Sequence, residues 1–211
     1  MKRFFLFFIS FLIFNGLQAQ SGDAGAIIEK TSQIYDGWEG MYVRFTAQLR
    51  GELNGMAERF EGTIKMKKNK FVLSTPDMTI WFDGTTQWTY IERIEEVNVH
   101  TPSDDEVRYL NPMILLRDYQ KDFNVSCTGE STSVHAKMAY DLTFTPKKKN
   151  DIEKMVVQIE KSTCLPTKLV VTMRNQTLST VINEMNDMPL DDGIFTFPKS
   201  SYPNAEIIDL R

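Results

Sequence analysis

Between Phe60 and Tyr90 the chain reads FEGTIKMKKNKFVLSTPDMTIWFDGTTQWTY, and this stretch constrains the fold more than any other. Phe60, Gly62, Ile64 and Met66 alternate with Glu61, Thr63 and Lys65. Period-two alternation specifies a strand with one dry and one wet face. A short basic break, Lys67-Lys68-Asn69-Lys70, leads to a second apolar run at Phe71, Val72 and Leu73. Ile80-Trp81-Phe82 then enters Asp83-Gly84, a hairpin turn signal, and the chain leaves through Trp88 and Tyr90. Two of the three tryptophans flank one turn. A sheet carrying this many large rings needs a cover, supplied by protein or by a ligand.

The rest of the chain reads mainly as β. A helix is expected over Ser21 to Tyr35, capped by Ser21 or Asp23, with Ile27, Ile28, Thr31, Ile34 and Tyr35 as its apolar stripe. In Met41 to Arg50, Val43, Phe45, Ala47 and Leu49 share one face of a strand. Residues 51–55 form a turn, and three or four strands follow Met66 as far as Val99. Pro112 opens a short helix over 112–120, since proline suits a first helical turn. Strands are expected at 122–128, 134–145, 152–161, 166–174 and 177–185, with a last one at Phe195 to Pro198. Ile207, Ile208 and Leu210 pin the tail. About ten hairpin-linked strands make an antiparallel sheet, and a meander of that length must curl or close. One domain over 21–211 follows, a barrel or half-barrel with two or three helices free to fill or cover its mouth.

The first residues differ in kind. Lys2-Arg3, an apolar run from Phe4 to Phe14 and a small residue at Ala19 describe a signal peptide over 1–20, cleaved after Ala19 or Gln20. That run is shorter than the ~20 apolar residues a spanning helix needs. The mature chain is expected to be soluble and outside the cytoplasm. Without Lys2 and Arg3 the 24 basic residues become 22 against 28 acidic ones, and the net charge moves from −4 to −6. That balance speaks against nucleic acid as a partner. Cys127 and Cys164 either form one long-range disulfide or stand as small buried hydrophobes.

Little in the chain supports catalysis. The two histidines, His100 and His135, lack neighbours at metal-ligand spacing and read as surface residues. No nucleophile elbow, P-loop or dinucleotide fingerprint occurs. Asp104-Asp105-Glu106 reads as a solvated loop. Asp191-Asp192-Gly193 lacks the further ligands of a calcium loop and reads as a turn. The basic break at Lys67–Lys70 is a charged hairpin tip or an anion site. No enzyme activity and no cofactor are expected. What remains after residue 20 is apolar and soft, with 8 Phe and 10 Met. A curled sheet with helices over one end can enclose a lipid-sized cavity lined by such residues.

At this point the sequence resembles the LolA-type periplasmic lipoprotein carriers. The likeness rests on the order of several short motifs: Phe45-Thr46, Gly62 to Lys68 with its basic turn, Asp83-Gly84 with Trp88 and Tyr90, Asn111-Pro112-Met113 to Leu116, Phe144 to Lys147, and Phe195 to Pro198. The resemblance implies an unclosed antiparallel half-barrel of about eleven strands under a helical lid, acting as a monomer. It also implies a job, moving the acyl chains of lipoproteins from an inner-membrane ABC transporter to an outer-membrane acceptor. The alternative is a related half-barrel that senses lipids or misplaced lipoproteins without transporting them. The cavity is expected to take Phe45, Leu49, Ile64, Met66, Phe71, Leu73, Trp88 and Tyr90 from the sheet, and Met113, Leu116 and Ile28 from the lid. Lys68 stands where the family has an arginine that latches the lid, and a lysine cannot form the same planar fork.

Overall fold

The computed structural model describes residues 23–51, 57–103, 106–107 and 118–211. The expected signal peptide and most of the 112–120 helix, with Met113 and Leu116, lie outside the described residues; 118–122 are helical. Helix α1 spans Ala24–Asp36, and the Asp23 carboxylate caps it by accepting from the Gly25 amide at 2.9 Å. Its buried stripe is Ala24, Ile28, Thr31 and Tyr35, narrower than expected, with Ile27 and Ile34 half-exposed.

Twelve strands follow among the described residues. They are β1 (Met41–Gly51), β2 (Ala57–Lys67), β3 (Lys70–Ser74), β4 (Met78–Phe82), β5 (Gln87–Ile91), β6 (Glu96–His100), β7 (Phe123–Thr132), β8 (Met138–Pro146), β9 (Ile152–Glu160), β10 (Pro166–Met173), β11 (Gln176–Asp187) and β12 (Glu206–Asp209). They form one sheet in the order β12-β6-β5-β4-β3-β2-β1-β11-β10-β9-β8-β7. Neighbours are antiparallel except β12, which runs parallel to β6. The chain therefore meanders outward from β1 to β6, then enters the other half at its far edge and returns to β1 through β11. The outermost strands, β7 and β12, do not pair with each other, so the sheet is unclosed.

Three expectations at the ends of strands are corrected. The strand expected from 134 begins at Met138, because Ser133 to Lys137 is a turn with Ala136 in the left-handed region (φ 58°). Phe195 to Pro198 is not a strand. Asp191 accepts from the Gly193 amide at 2.7 Å and starts a 3-10 turn over Asp192–Phe195, which inserts Phe195 and Phe197 into the interior. The tail is held by backbone pairing of β12 with β6 more than by its side chains, since Ile207 and Leu210 are exposed.

Each face of the sheet carries a core. On what we call the inner face, α1 packs with Met41, Val43, Ile64, Met66, Phe71 and Phe82 from one half of the sheet and Leu142, Phe144, Met155 and Ile159 from the other. On the outer face a smaller cluster joins Trp81, Tyr90, Val97 and Val99 to Phe197, with Trp88 and Tyr202 packed against it. The ring centroids of Tyr90 and Tyr202 lie 4.5 Å apart, and those of Trp81 and Phe197 5.3 Å. The rings between Ile80 and Tyr90 are thus covered in part by the chain's own C-terminal segment.

A polar contact between segments 133 residues apart ties helix α1 to the turn after β9. Thr31, fully buried, donates from Oγ1 to the Cys164 carbonyl at 2.8 Å, with the Ile27 carbonyl at 3.1 Å. Cys164 holds φ 56° in the turn after β9. Thr31→Val keeps the side-chain shape and leaves that carbonyl without its donor, a loss of about 1–3 kcal/mol. A melt about 2–12 °C lower and faster amide exchange in α1 are expected; unchanged α1 exchange would sink the tether.

Candidate functional site

Period-two alternation places Met41, Val43 and Phe45 of β1 on the inner face beside Ile64 and Met66 of β2, since Val43 pairs with Ile64 and Met41 with Met66. From the far half come Phe144, Val157 and Leu169, and from β11 come Thr180, Ile182 and Met185. These residues, with Tyr35 of α1 and Pro166, line a cavity of about 190 Å³. No charged side chain lines it among the described residues. The Tyr35 hydroxyl lies 3.6 Å from Met185 Sδ, and burial pushes its pKa far above the usual phenol range. An ionised group has no counter-charge here, so the site suits hydrocarbon.

The expected cavity residues do not all meet. Phe45, Ile64 and Met66 line the cavity together. Phe71, fully buried, and Leu73 share the inner face but stand one strand further out, Phe71 opposite Met66 and Leu73 opposite Ile64. Ile28 is buried under α1 in the same core, while Tyr35 is the helix residue at the cavity. Leu49 shares the face of Phe45, further along β1. Trp88 and Tyr90 do not join them, a correction of the face assigned to β5. Trp88 pairs with Trp81 and both lie on the outer side. The inner position is taken by Gln87, 6 % exposed, whose Oε1 has no hydrogen-bond partner among the described residues.

Lys68 sits at the tip of the β2–β3 hairpin with φ 57°. Its neighbours close on the C-terminal turn. Lys67 Nζ donates to the Leu190 carbonyl at 2.8 Å and reaches Asp192 Oδ1 at 2.8 Å, and Lys70 Nζ reaches Asp192 Oδ2 at 2.9 Å. The two hydrogen-bonding lysines hold the Asp192 carboxyl down at about 2. The anion at the basic break is therefore one of the chain's own carboxylates. Cys127 and Cys164 are not bridged. Among the described residues no group of three or more His, Cys, Asp and Glu side chains is placed to hold a metal ion.

Sequence reasoning missed the far-half lining. The alternation of Leu142 with Phe144 and of Met155, Val157 and Ile159 was available to find part of it. Ile182 and Met185 were not accessible in that way, because an odd step separates two residues on one face. An irregularity between Arg44 and Phe45 leaves Asn183 outside the pairing register with β1, although its side chain donates to Thr46 Oγ1 at 2.8 Å, and the extra residue restores both to the cavity.

The family described as outer membrane lipoprotein carrier protein LolA matches residues 16–183. Among curated proteins none matches the chain. Among solved structures, an uncharacterized conserved protein of Thermus thermophilus is similar with a TM-score of 0.56 at 12% identity, covering 89% of this chain and 99% of its own. A DUF1329 family protein of Desulfovibrio piger gives 0.48 at 13%, covering 84% and 97%. A LolA superfamily protein of Nitrosomonas europaea gives 0.45 at 13%, covering 83% and 98%.

Proposed function

Since the chain belongs to the LolA family of outer membrane lipoprotein carriers, we propose that it is a periplasmic carrier holding the acyl chains of lipoproteins in the cavity between β1, β2, β11 and α1. The observation that carries this reading is the cavity's lining: hydrocarbon from both halves of the sheet and no charged group among the described residues. Each methylene moved out of water gains ~0.8 kcal/mol, so cargo chains enter such a site spontaneously. Release then requires that the cover open at low cost, and α1 meets the rest of the molecule through a narrow apolar stripe, the Thr31 contact and the contact of Tyr35 with Met185. In this reading the protein does no covalent chemistry. An inner-membrane ABC transporter loads it, an outer-membrane acceptor unloads it, and Lys68 contributes to holding the lid.

The test is direct. The purified protein is expected to bind a lipophilic fluorescent dye, and mass spectrometry of protein isolated from the envelope is expected to show an acylated polypeptide bound to it. Failure of both would remove the carrier function.

A further inference from the structure

The chain is acidic overall, with a net charge of −4, yet its cations are not evenly spread. Lys147, Lys148 and Lys149 stand in a row at the tip between β8 and β9. The Asn150 side chain shapes that tip by accepting from the Ile152 amide at 2.8 Å. The Arg174 amide donates to the Asp151 carbonyl at 3.4 Å, which joins the tip to the turn between β10 and β11. The three lysines and Arg174 border one hollow of about 250 Å³. Lys154 of β9 pairs with Thr172, two residues before Arg174, and extends the same patch.

All five cations are exposed. Lys147 Nζ donates to the Gln120 carbonyl at 2.5 Å. Lys148, Lys149, Lys154 and Arg174 make no ion pair among the described residues, although Asp151 and Glu153 lie in the same stretch. Like charges crowded at one tip repel one another, and an anion from outside relieves that repulsion. Clusters of about four to eight Lys and Arg are what anionic lipid surfaces attract. A protein partner suits the tip less well. Interface centres favour aromatic, Met and Arg side chains and are poor in Lys, and this tip exposes no large apolar side chain.

We infer that this tip is a docking surface for an anionic membrane, with its lysines and arginine lying against the lipid phosphates. The surface is separate from the cavity and does not depend on what the cavity holds. Its consequence is placement. Phe144, three residues before Lys147 on β8, lines the cavity. A molecule docked by the tip holds that wall ~10 Å from the headgroups.

The experiment is co-flotation of the purified protein with vesicles, made of phosphatidylcholine alone or of equal parts phosphatidylcholine and phosphatidylglycerol. Binding is expected only to the anionic vesicles, and to fall steeply between about 0.05 and about 0.5 M salt. Each neutralised cation is expected to weaken binding about fivefold, so Lys148→Gln, Lys149→Gln and Arg174→Gln together weaken it about a hundredfold. Lys148→Arg with Lys149→Arg keeps the charge and the binding. A control combining Lys30→Gln, Arg93→Gln and Lys199→Gln removes the same charge from exposed sites in α1, the β5–β6 turn and the C-terminal segment. It is expected to bind nearly as the unaltered protein does, since those charges are screened from the docked tip. The tip variant should keep its melting temperature and its binding of a lipophilic dye, because exposed substitutions cost little. Equal binding to neutral vesicles, undiminished binding by the tip variant or an equal loss in the control would each overturn the inference. So would release by inorganic phosphate in preference to chloride at matched ionic strength, which would mark a soluble phosphate as the ligand. Poly-glutamate bound as tightly as the vesicles would overturn it in favour of an acidic polypeptide. None of these results touches the carrier function, which fails only on the dye and mass-spectrometric tests of the cavity.

Discussion

Replacing Phe144 by Ala is expected to lower the melting temperature by about 6–20 °C. Phe144 of β8 is fully buried and lines the inner cavity. Its ring meets Tyr119 and Phe123 edge-on, with centroids 6.1 and 6.2 Å away. Phe123 begins β7 and is itself 1 % exposed, so the three rings hold the edge strand to the sheet. Removing a buried ring costs about 3–5 kcal/mol when the surroundings do not collapse into the space. Collapse is restricted here because the neighbouring wall is already a cavity. For a chain of this length each kcal/mol corresponds to about 2–4 °C. Thermal unfolding followed by near-ultraviolet circular dichroism measures the loss, with Phe144→Leu as the smaller perturbation. A fall below about 3 °C in the alanine variant would mean that the ring's contacts do not hold β7 and β8 together.

The fold was largely legible because a sheet with one buried face writes its period into the sequence. The stretch from Phe60 to Met66 shows this, and β2 covers it. Two kinds of information were missing. The first is which face of a strand meets which core when both faces are apolar. In β4, Ile80 and Phe82 face inward and Trp81 outward, all buried. Period two cannot decide such a strand, and the error passed to Trp88 and Tyr90. What decides it is the C-terminal segment, which brings Phe197 and Tyr202, from far along the chain, onto the Trp81 side. The second is long-range polar pairing. Lys67 and Lys70 carried a visible charge, but nothing local names Asp192 as their partner. Thr31 read as part of an apolar stripe and turned out to be the helix's polar tie to Cys164. Single odd insertions, such as the one at Asn183, invert a face without altering composition, and this one decided which β11 residues line the cavity.

Glu160 is the second position where one substitution should matter greatly. It ends β9 and is 1 % exposed, which for a carboxylate requires several partners. Ser162 Oγ donates to Oε1 at 2.5 Å, with Lys137 Nζ at 3.4 Å; Ser133 Oγ donates to Oε2 at 3.4 Å, where His135 Nδ1 stands at 3.3 Å. The histidine read from sequence as an unpartnered surface residue thus meets a buried carboxylate 25 residues away. Ser133, His135 and Lys137 form the β7–β8 turn, and Ser162 lies in the β9–β10 turn that presents the Cys164 carbonyl to Thr31. One carboxylate therefore joins two turns and, through the second, supports the seat of α1. Glu160→Ala leaves the serine hydroxyls without their acceptor, whereas His135 and Lys137 are half-exposed and turn to water; the expected cost is about 1–3 kcal/mol. Glu160→Gln keeps the shape and should cost less. The hydrogen bond from Ser162, followed by those of His135 and Lys137, lowers the Glu160 pKa against the opposing effect of burial. A carboxyl depressed in the folded state stabilises fully above the unfolded carboxylate range, about 4.3, and loses that contribution as pH falls through its folded value. The stability gap between the unaltered protein and Glu160→Gln should accordingly be widest at neutral pH and narrow on acidification, as read by urea unfolding from about pH 7 to about pH 3. Parallel curves across that range would show that the charge of Glu160 contributes nothing and that only its shape is used.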